Sequence, residues 1–344
     1  GVRSGSVAPA QVTPGPIQTR PGLFYIPTAA DGQIQFHYLK GKAGSELGLI
    51  PVDDVTGRIG SLLPNDPGYA EAALSRKIAI FQNSIGSNLN AMTPAIAKNS
   101  FLSPELLVQT EFQSNGSFQQ MALNGNQHYA FYLSEAGQTS LSFNNPSFAL
   151  EHEGRGFFDV DWDGLTMEMG TPLMITPGTV NQQVEVTFDL ARGGAFNNTI
   201  ALFKVDTLTG QLDLNGDGTM DLAPGDKNYV IEALNRSQDA LTGFVVPRVD
   251  SIFTATTKTT TLFGGQTYGM VLVTNGTIDD FLQNNPTNSP DGSIHAFLSF
   301  EQANADGISH VRRLGDNLWG FEDLLGGGDR DYNDMVLQVT FANT

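Results

Sequence analysis

The sequence predicts a mostly β protein of antiparallel β-sandwich or jelly-roll domains, with one short helical segment and an extended N-terminal arm. Three observations lead there: many short β-rich segments, frequent turn signals between them, and only one strong helical pattern. The 38 glycines and 17 prolines also favour turns and strands over helices. At 344 residues the chain is long enough for two or three domains.

Residues 1–22 form the predicted arm. Four prolines favour an extended backbone, and Val7, Val12 and Ile17 are spaced so that they could anchor the arm in grooves. We expect the arm to dock on a neighbouring subunit. The alternative is a mobile linker.

Residues 23–105 are predicted to form a small α+β region. Three strands are expected over residues 23–27, 33–39 and 47–52. A helix is expected near residues 68–81, because Ala70, Leu74, Ile78 and Phe81 recur at three- and four-residue spacing.

Residues 106–344 are predicted to form a β-sandwich region in which turn signals such as Asn115-Gly116 separate the strands. The segment YVIEAL (229–234) is counted among these strands. Residues 128–140 and 267–279 resemble each other, and both lead through a polar loop towards an acidic stretch. Either the chain contains a duplication, or sandwich strands simply resemble one another.

Composition limits the functions of the protein. A net charge of −18 argues against a nucleic-acid partner. The chain has no cysteine, so an extracellular β protein of this kind needs other cross-links, such as bound Ca²⁺. No apolar run is long enough to span a bilayer. The chain begins with Gly1 rather than Met, and we expect a secreted protein, extracellular or at the cell surface, whose signal peptide has been removed.

Two acidic loops resemble calcium-binding loops. The first has a DxDxDG pattern that ends at Gly164, and the second reads DLNGDGTMD, with Gly218 at the sharp turn. Both lack the glutamate that closes an EF-hand, and the alternative for each is a polar turn. The predicted ligands are Asp159, Asp161 and Asp163 in the first loop, and Asp213, Asn215, Asp217, the Thr219 carbonyl and Asp221 in the second.

The richest acidic stretch is DNLWGFEDLLGGGDRDYNDMV, residues 316–336. Three successive glycines let its backbone turn back on itself. Clustered carboxylates would repel one another without a cation, so a Ca²⁺ site is favoured over a solvated loop. The predicted ligands are Glu322, Asp323, Asp329, Asp331, Asn333 and Asp334.

This stretch closely resembles the hallmark of a bacterial family known as "domain of unknown function 4114", and the resemblance covers roughly residues 245–344. Residues 45–74 are similar to a segment often found ahead of that domain. The family occurs in secreted and surface-associated proteins of cyanobacteria and other bacteria. The resemblance implies a β-rich, Ca²⁺-dependent extracellular module and no established activity.

The sequence contains no nucleophile elbow, zinc-protease motif or P-loop, so we expect no enzyme. Its many Asp and Glu residues leave a pair of glycosidase carboxylates open as an alternative. Trp162 and Trp319 each lie beside an acidic loop in the sequence. Each is expected either to stack on a bound sugar or to pack in the core. The leading hypothesis is a secreted, Ca²⁺-stabilised structural protein that self-assembles into a filament or surface layer. The alternative is a Ca²⁺-dependent adhesin or carbohydrate-binding module, with an extracellular polysaccharide as partner; a polysaccharide-active enzyme ranks third.

Overall fold

The computed structural model describes residues 17–26, 33–41, 44–82, 118–154, 157–315 and 317–342. These residues form two β-sandwiches in tandem, and every pairing between their strands is antiparallel. The predicted fold class is therefore confirmed.

The first sandwich packs a six-stranded sheet A against a five-stranded sheet B. Sheet A has the order β1-β2-β7-β4-β5, with β8 beside β7, and sheet B has the order β6-β3-β11-β10-β9. The strands are β1 Ile17–Arg20, β2 Leu23–Ile26, β3 Gln33–Lys40, β4 Glu46–Val52, β5 Ile78–Phe81, β6 Phe118–Ala122, β7 Gln127–Glu135, β8 Gln138–Leu141, β9 Ala149–Gly154, β10 Phe157–Trp162 and β11 Leu165–Gly170.

The second sandwich packs the five-stranded sheets C and D against each other. Sheet C has the order β12-β17-β14-β15, with β18 beside β17, and sheet D has the order β16-β13-β21-β20-β19. The strands are β12 Met174–Ile175, β13 Gln183–Arg192, β14 Thr199–Val205, β15 Gly243–Val245, β16 Ala255–Phe263, β17 Thr267–Val273, β18 Ala296–Leu298, β19 Val311–Gly315, β20 Leu318–Phe321 and β21 Met335–Phe341.

The two sandwiches have the same topology. Sheets B and D share one strand order, and the strands of sheet C follow one another as β2, β7, β4, β5 and β8 do in sheet A. Only β1 has no counterpart in the second sandwich. The likeness between residues 128–140 and 267–279 therefore reflects a duplicated architecture, since β7 and β17 occupy equivalent places.

A polar clamp recurs in both copies. In the first sandwich, Arg76 binds Asp53 at 2.5 Å, and the Tyr69 hydroxyl donates to the Gly57 carbonyl at 2.5 Å. The corresponding contacts in the second sandwich are Arg236 to Asp206 at 2.8 Å and Tyr229 to Gly210 at 2.5 Å. The clamp closes a turn at the bridge between Ile59 and Leu62 in the first copy. In the second copy it closes the longer loop 213–221 at the bridge between Leu212 and Leu222.

Each sandwich has an apolar interior and a helix on one outer face. Phe188, Leu190 and Trp319 of sheet D meet Leu202 and Met270 of sheet C. Three α-helices occur in the described residues: α1 Tyr69–Leu74, α2 Tyr229–Gln238 and α3 Ile278–Asn284. Helix α1 covers the outer face of sheet A, and α2 and α3 cover the outer face of sheet C.

Two predictions about helices were wrong. The helix near 68–81 ends at Leu74, where the Ser75 hydroxyl bonds back to the Ala72 carbonyl, and Ile78–Phe81 is a strand paired with β4. The predicted strand 229–234 is the start of α2, so the single short helical segment becomes three helices. Its β-branched residues suggested a strand, but the buried residues of the whole segment recur along one helical face.

Two predicted boundaries also change. Residues 17–22 of the arm form a hairpin with β2 of their own chain, and the part of the arm in residues 1–16 lies outside the described residues. The boundary near residue 105 is wrong, because β3 and β4 share their sheets with β11 and β7. The sandwiches instead meet near residues 171–173. Residues 83–105 lie outside the described residues.

No helix in the part of the chain that the structure describes is long and apolar enough to cross a membrane.

Candidate metal centre

The acidic loop is the segment 322–334, which connects β20 to β21 at one end of the second sandwich. Strand pairing fixes both ends of the loop, since Trp319 pairs with Leu337 and Gly320 with Val336. A further bridge joins Phe321 to Asn333. The two ends of the loop are therefore held together by the pairing of β20 with β21.

Three carboxylates converge in this loop. One ligand oxygen from each of Glu322, Asp329 and Asp331 lies within 4.8 Å of the others, and no other such group of three is found in the described residues. Glu322 is only 1% exposed. Its Oε1 accepts the Tyr332 N–H at 2.6 Å, whereas its Oε2 is buried without a hydrogen-bond partner among the described residues.

The carboxyl pKa values show the cost of this arrangement without a cation. Burial raises the pKa of Glu322 to about 8 and that of Asp331 to about 6. Burial, followed by the charge of Asp323, raises the pKa of Asp334 to about 7. Each of these acids is therefore destabilised in its charged form, and a bound divalent cation would reverse that penalty.

Asp323 and Asp334 form a second pair beside the three carboxylates. Asp334 Oδ2 accepts the Asp323 N–H at 3.0 Å, and Asp323 Oδ2 accepts a hydrogen bond from the Asn198 amide at 2.8 Å. A Cβ atom on Gly194 would lie 2.6 Å from Asp334 Oδ1 and 3.1 Å from Asp323 Oδ2. A glycine at position 194 thus leaves room for both carboxylates.

Asn333, a predicted ligand of this loop, turns its side-chain amide towards Asp331, another predicted ligand. Its Nδ2 donates to Asp331 Oδ2 at 2.5 Å, and its N–H donates to Asp331 Oδ1 at 3.1 Å. It therefore orients Asp331.

The glycine run has the conformation that the sequence requires. Gly326, Gly327 and Gly328 have φ values of 79°, 82° and 51°. A Cβ atom on Gly328 would lie 2.8 Å from Glu322 Oε2. Gly328 is therefore needed both for the turn and for space at the unpaired carboxylate oxygen.

Asp306 and His310 support the loop from below. Asp306 Oδ2 accepts the Gly326 N–H at 2.8 Å and shares a hydrogen bond with His310 Nε2 at 2.9 Å. The other ring nitrogen of His310 lies 3.0 Å from the Glu322 carbonyl oxygen. His310 is buried and stacked on Phe297 at 3.6 Å. The Asp306 carboxylate thus holds Gly326 directly and Glu322 through His310.

The comparisons with known proteins concern the same part of the chain. Residues 262–342 match the family described as "Domain of unknown function (DUF4114)". This segment of the chain is a DUF4114 domain. The match begins in β16 and contains the entire acidic loop, whereas Gly194 and Asn198 precede it. Neither the curated proteins nor the solved structures include a match.

Asn198, Gly194 and Asp306 were missed by sequence reasoning. Asn198 and Gly194 lie more than a hundred residues before the loop and carry no motif. Asp306 lies within the stretch that resembled the DUF4114 family, which was the one available signal. His310 is buried, hydrogen-bonded and in contact with the loop.

Upstream of the DUF4114 match, loop 213–221 is ordered by its own backbone. Asp213 accepts the N–H groups of Gly216 and Gly218 at 2.7 and 2.8 Å. These bonds lower the pKa of Asp213. Asp221 likewise accepts the Leu214 N–H at 2.7 Å. Ca²⁺ binding by Asp213, Asn215, Asp217, Thr219 and Asp221 stays a prediction.

The predicted calcium loop at 159–164 lies in a β-hairpin. Asp159 and Asp161 lie on β10, and β10 pairs with β11 up to Trp162 opposite Leu165. The turn residues, Asp163 and Gly164, have φ values of 51° and 84°. The Asp163 carboxylate accepts hydrogen bonds from Asn145 and Ser147 at 2.7 and 2.5 Å. The DxDxDG pattern thus forms a tight hairpin turn, and Ca²⁺ binding by Asp159, Asp161 and Asp163 stays a prediction.

Both tryptophans are core residues. Trp162 and Trp319 are each 0% exposed. Neither can serve as the sugar-stacking platform that the sequence left open.

Proposed function

We propose that this protein is a secreted structural protein that Ca²⁺ stabilises through the acidic loop, and that it self-assembles into an extracellular filament or surface layer. The observation that carries the ion site is Glu322 Oε2. It is buried and has no hydrogen-bond partner among the described residues, and the Glu322 carboxylate converges with those of Asp329 and Asp331. Burying a charged oxygen in this way is costly unless a cation occupies the site.

The ligand chemistry favours Ca²⁺. The converging groups are all carboxylate oxygens, which are the hard ligands that Ca²⁺ prefers. Glu322, Asp329 and Asp331 would hold the ion, and Asp323 and Asp334 would add negative potential beside it. The cation would stabilise the loop and, through β20 and β21, sheet D.

Assembly is supported by the edges of the sheets. β1 is the edge strand of sheet A and lies within the C-terminal part of the predicted arm, residues 1–22. β16, at the edge of sheet D, carries Lys258 opposite the buried Phe188. Lys258 is exposed, and a charged lysine on an edge strand opposes strand addition at that edge. We therefore place assembly through β1 and the arm.

The first experiment separates the ion site from assembly. Protein freed of metal with EGTA is titrated with Ca²⁺ and with Mg²⁺ by calorimetry, and its melting temperature is measured with each ion. We expect saturable Ca²⁺ binding, a higher melting temperature, and weaker binding of Mg²⁺ because three side chains on a bent loop do not impose an octahedron. No heat of binding and no thermal shift with Ca²⁺ would refute the ion site.

The second experiment tests assembly. Light scattering and electron microscopy, each with and without EGTA, measure the assembly state. They should show polymers for the full chain and monomers for a variant that lacks residues 1–16. Polymers that persist without those residues would refute the role of the arm. A monomer that binds a glycan array only in Ca²⁺ would favour the alternative, a Ca²⁺-dependent adhesin or carbohydrate-binding module.

A further inference from the structure

The two sandwiches meet through a polar interface at β19. The Gln35 side chain of β3 forms hydrogen bonds with the backbone of β19, as a neighbouring strand would. Its Nε2 donates to the Val311 carbonyl at 3.0 Å, and its Oε1 accepts the Arg313 N–H at 2.9 Å. Trp319 adds a hydrogen bond from Nε1 to the Pro172 carbonyl at 2.7 Å. The DUF4114 segment thus contacts the first sandwich through specific, buried groups.

Arg312 lies between these contacts and is 0% exposed. Burial lowers the pKa of its guanidinium to about 10, whereas the charges of Tyr332 and Glu168 raise that pKa. Glu168 is a buried residue of β11 in the first sandwich. Glu168 pairs with His37 across β11 and β3, and its carboxylate lies 3.6 Å from His37 Nδ1. Burial and then the charge of Arg312 lower the pKa of His37.

The same guanidinium also reaches the acidic loop. It lies 5.3 Å from the centre of the Tyr332 ring. The backbone N–H of Tyr332 donates to Glu322 Oε1, the other oxygen of the carboxylate whose Oε2 is unpaired. One buried cation therefore has an electrostatic partner in each sandwich, and one of those partners holds a proposed metal ligand.

We propose that Arg312 couples ion binding in the acidic loop to the docking of the two sandwiches, so that Glu168 of the first sandwich raises the ion affinity of the second. This proposal rests on the Ca²⁺ site proposed above. Glu168 balances the buried charge of Arg312 and leaves the loop carboxylates for the ion. Without Glu168, the unbalanced guanidinium competes with the ion for the negative potential of the loop. By linkage, the bound ion strengthens the docking to the same extent.

The test measures Ca²⁺ affinity in the full chain. Calorimetric titrations compare wild type with Glu168→Gln and with Glu46→Gln, a matched change in sheet A of the same sandwich. We expect the dissociation constant to rise about fivefold or more in Glu168→Gln, as is typical of coupled sites. Glu46→Gln should bind as wild type does.

The outcomes separate the two proposals. Wild-type affinity in a folded Glu168→Gln variant would overturn the coupling and leave the Ca²⁺ site intact. An equal loss of affinity in both variants would also overturn it, because general destabilisation of the first sandwich would then suffice. Wild-type protein that binds no Ca²⁺ would overturn both.

A second measurement needs no variant, in case Glu168→Gln does not fold. Hydrogen exchange of the wild-type chain is followed with and without Ca²⁺ in β11, Leu165–Gly170. Slower exchange in β11 with Ca²⁺ supports the coupling, since this strand belongs to the sandwich without the acidic loop. Unchanged exchange there with Ca²⁺ bound overturns it.

Discussion

Glu322 shows how a single side chain can indicate a missing partner. Its Oε1 accepts a backbone N–H, whereas its Oε2 is buried without a hydrogen-bond partner among the described residues, in a carboxylate that converges with two other acids. A neutral group of the same shape would remove this penalty, whereas a cation turns it into binding energy. Variants of Glu322 can therefore separate stability from ion binding.

We predict that Glu322→Gln abolishes the stabilisation by Ca²⁺ and does not lower the free energy of unfolding in EGTA. The loss should equal the gain that wild type shows, about 2.7 kcal/mol when free Ca²⁺ is a hundred times the dissociation constant. Chemical denaturation with and without Ca²⁺ measures both quantities. Glu185→Gln, at an exposed position of β13, is the matched control and should keep the wild-type gain. A Ca²⁺ gain that survives in Glu322→Gln would contradict the assignment.

A second residue-scale prediction concerns pH. Hydrogen bonds from Lys77 and then from Tyr132 lower the pKa of Glu46 from its usual value of 4.5. A carboxyl whose pKa is lower in the folded state stabilises the fold above pH 4.5, and that contribution is lost as the pH falls through the folded pKa. Denaturation of wild type and Glu46→Gln between neutral pH and about pH 3 should show a stability difference that shrinks with acidity. A difference independent of pH would show that the bonds do not depend on the charge of Glu46.

The residues of the acidic loop could be predicted because they are close in sequence. Repelling acids beside three glycines indicate a cation site without any tertiary information, and Glu322, Asp329 and Asp331 do converge. The support from Asn198 and Asp306 could not be predicted, since only the pairing of distant strands brings them to the loop.

At the scale of elements, the acidic loop depends on two different uses of glycine. Gly326 and Gly328 both have positive φ, but a Cβ on Gly326 meets nothing within 4 Å, whereas one on Gly328 meets Glu322 Oε2. Backbone strain and steric exclusion at the site can thus be tested separately within one loop.

We predict that Gly328→Ala weakens Ca²⁺ binding about tenfold or more, as displaced supporting groups do at metal sites. Gly326→Ala is the control for strain. It should cost about 1–2 kcal/mol of stability from its left-handed backbone and change the affinity much less. Calorimetry and denaturation of both variants measure these effects. Equal affinities in the two variants would show that the space at Gly328 is not needed by the ion.

The predicted elements failed where a short window fits two periods. YVIEAL is β-branched enough for a strand, and only the longer segment to Gln238 shows the helical face that covers sheet C. Conversely, Ile78 and Phe81 continued the helical spacing of α1, but pairing with β4 buries Phe81 in sheet A. Tertiary pairing overrode the local pattern in the second case.

At the scale of the whole molecule, the family match covers only part of a sandwich. The segment 262–342 contains β17 to β21 but not β13 or β14. β13 is the strand that joins β16 to β21, and β14 pairs with β17. The folding unit must therefore begin earlier than the family segment.

We predict that a fragment of residues 262–342 shows no cooperative thermal unfolding, because β21 and β17 would lose their central partners. A fragment of residues 171–344 retains all of sheets C and D and should fold. Circular dichroism melts and the dispersion of amide NMR signals distinguish the two. A well-dispersed spectrum from the shorter fragment would contradict the prediction.

The clamp described in both copies bears on how such a chain diversifies. An arginine and an aspartate close the loop in both copies, although the two loops differ in length. The loop has four residues from Ile59 to Leu62 in the first copy and eleven from Leu212 to Leu222 in the second. The arginine–aspartate pair therefore fixes the ends of the loop, and the loop sequence can change without disturbing the strands of the sheet behind it. Foreign peptides grafted between Ile59 and Leu62 would be displayed from a scaffold already shaped to receive them.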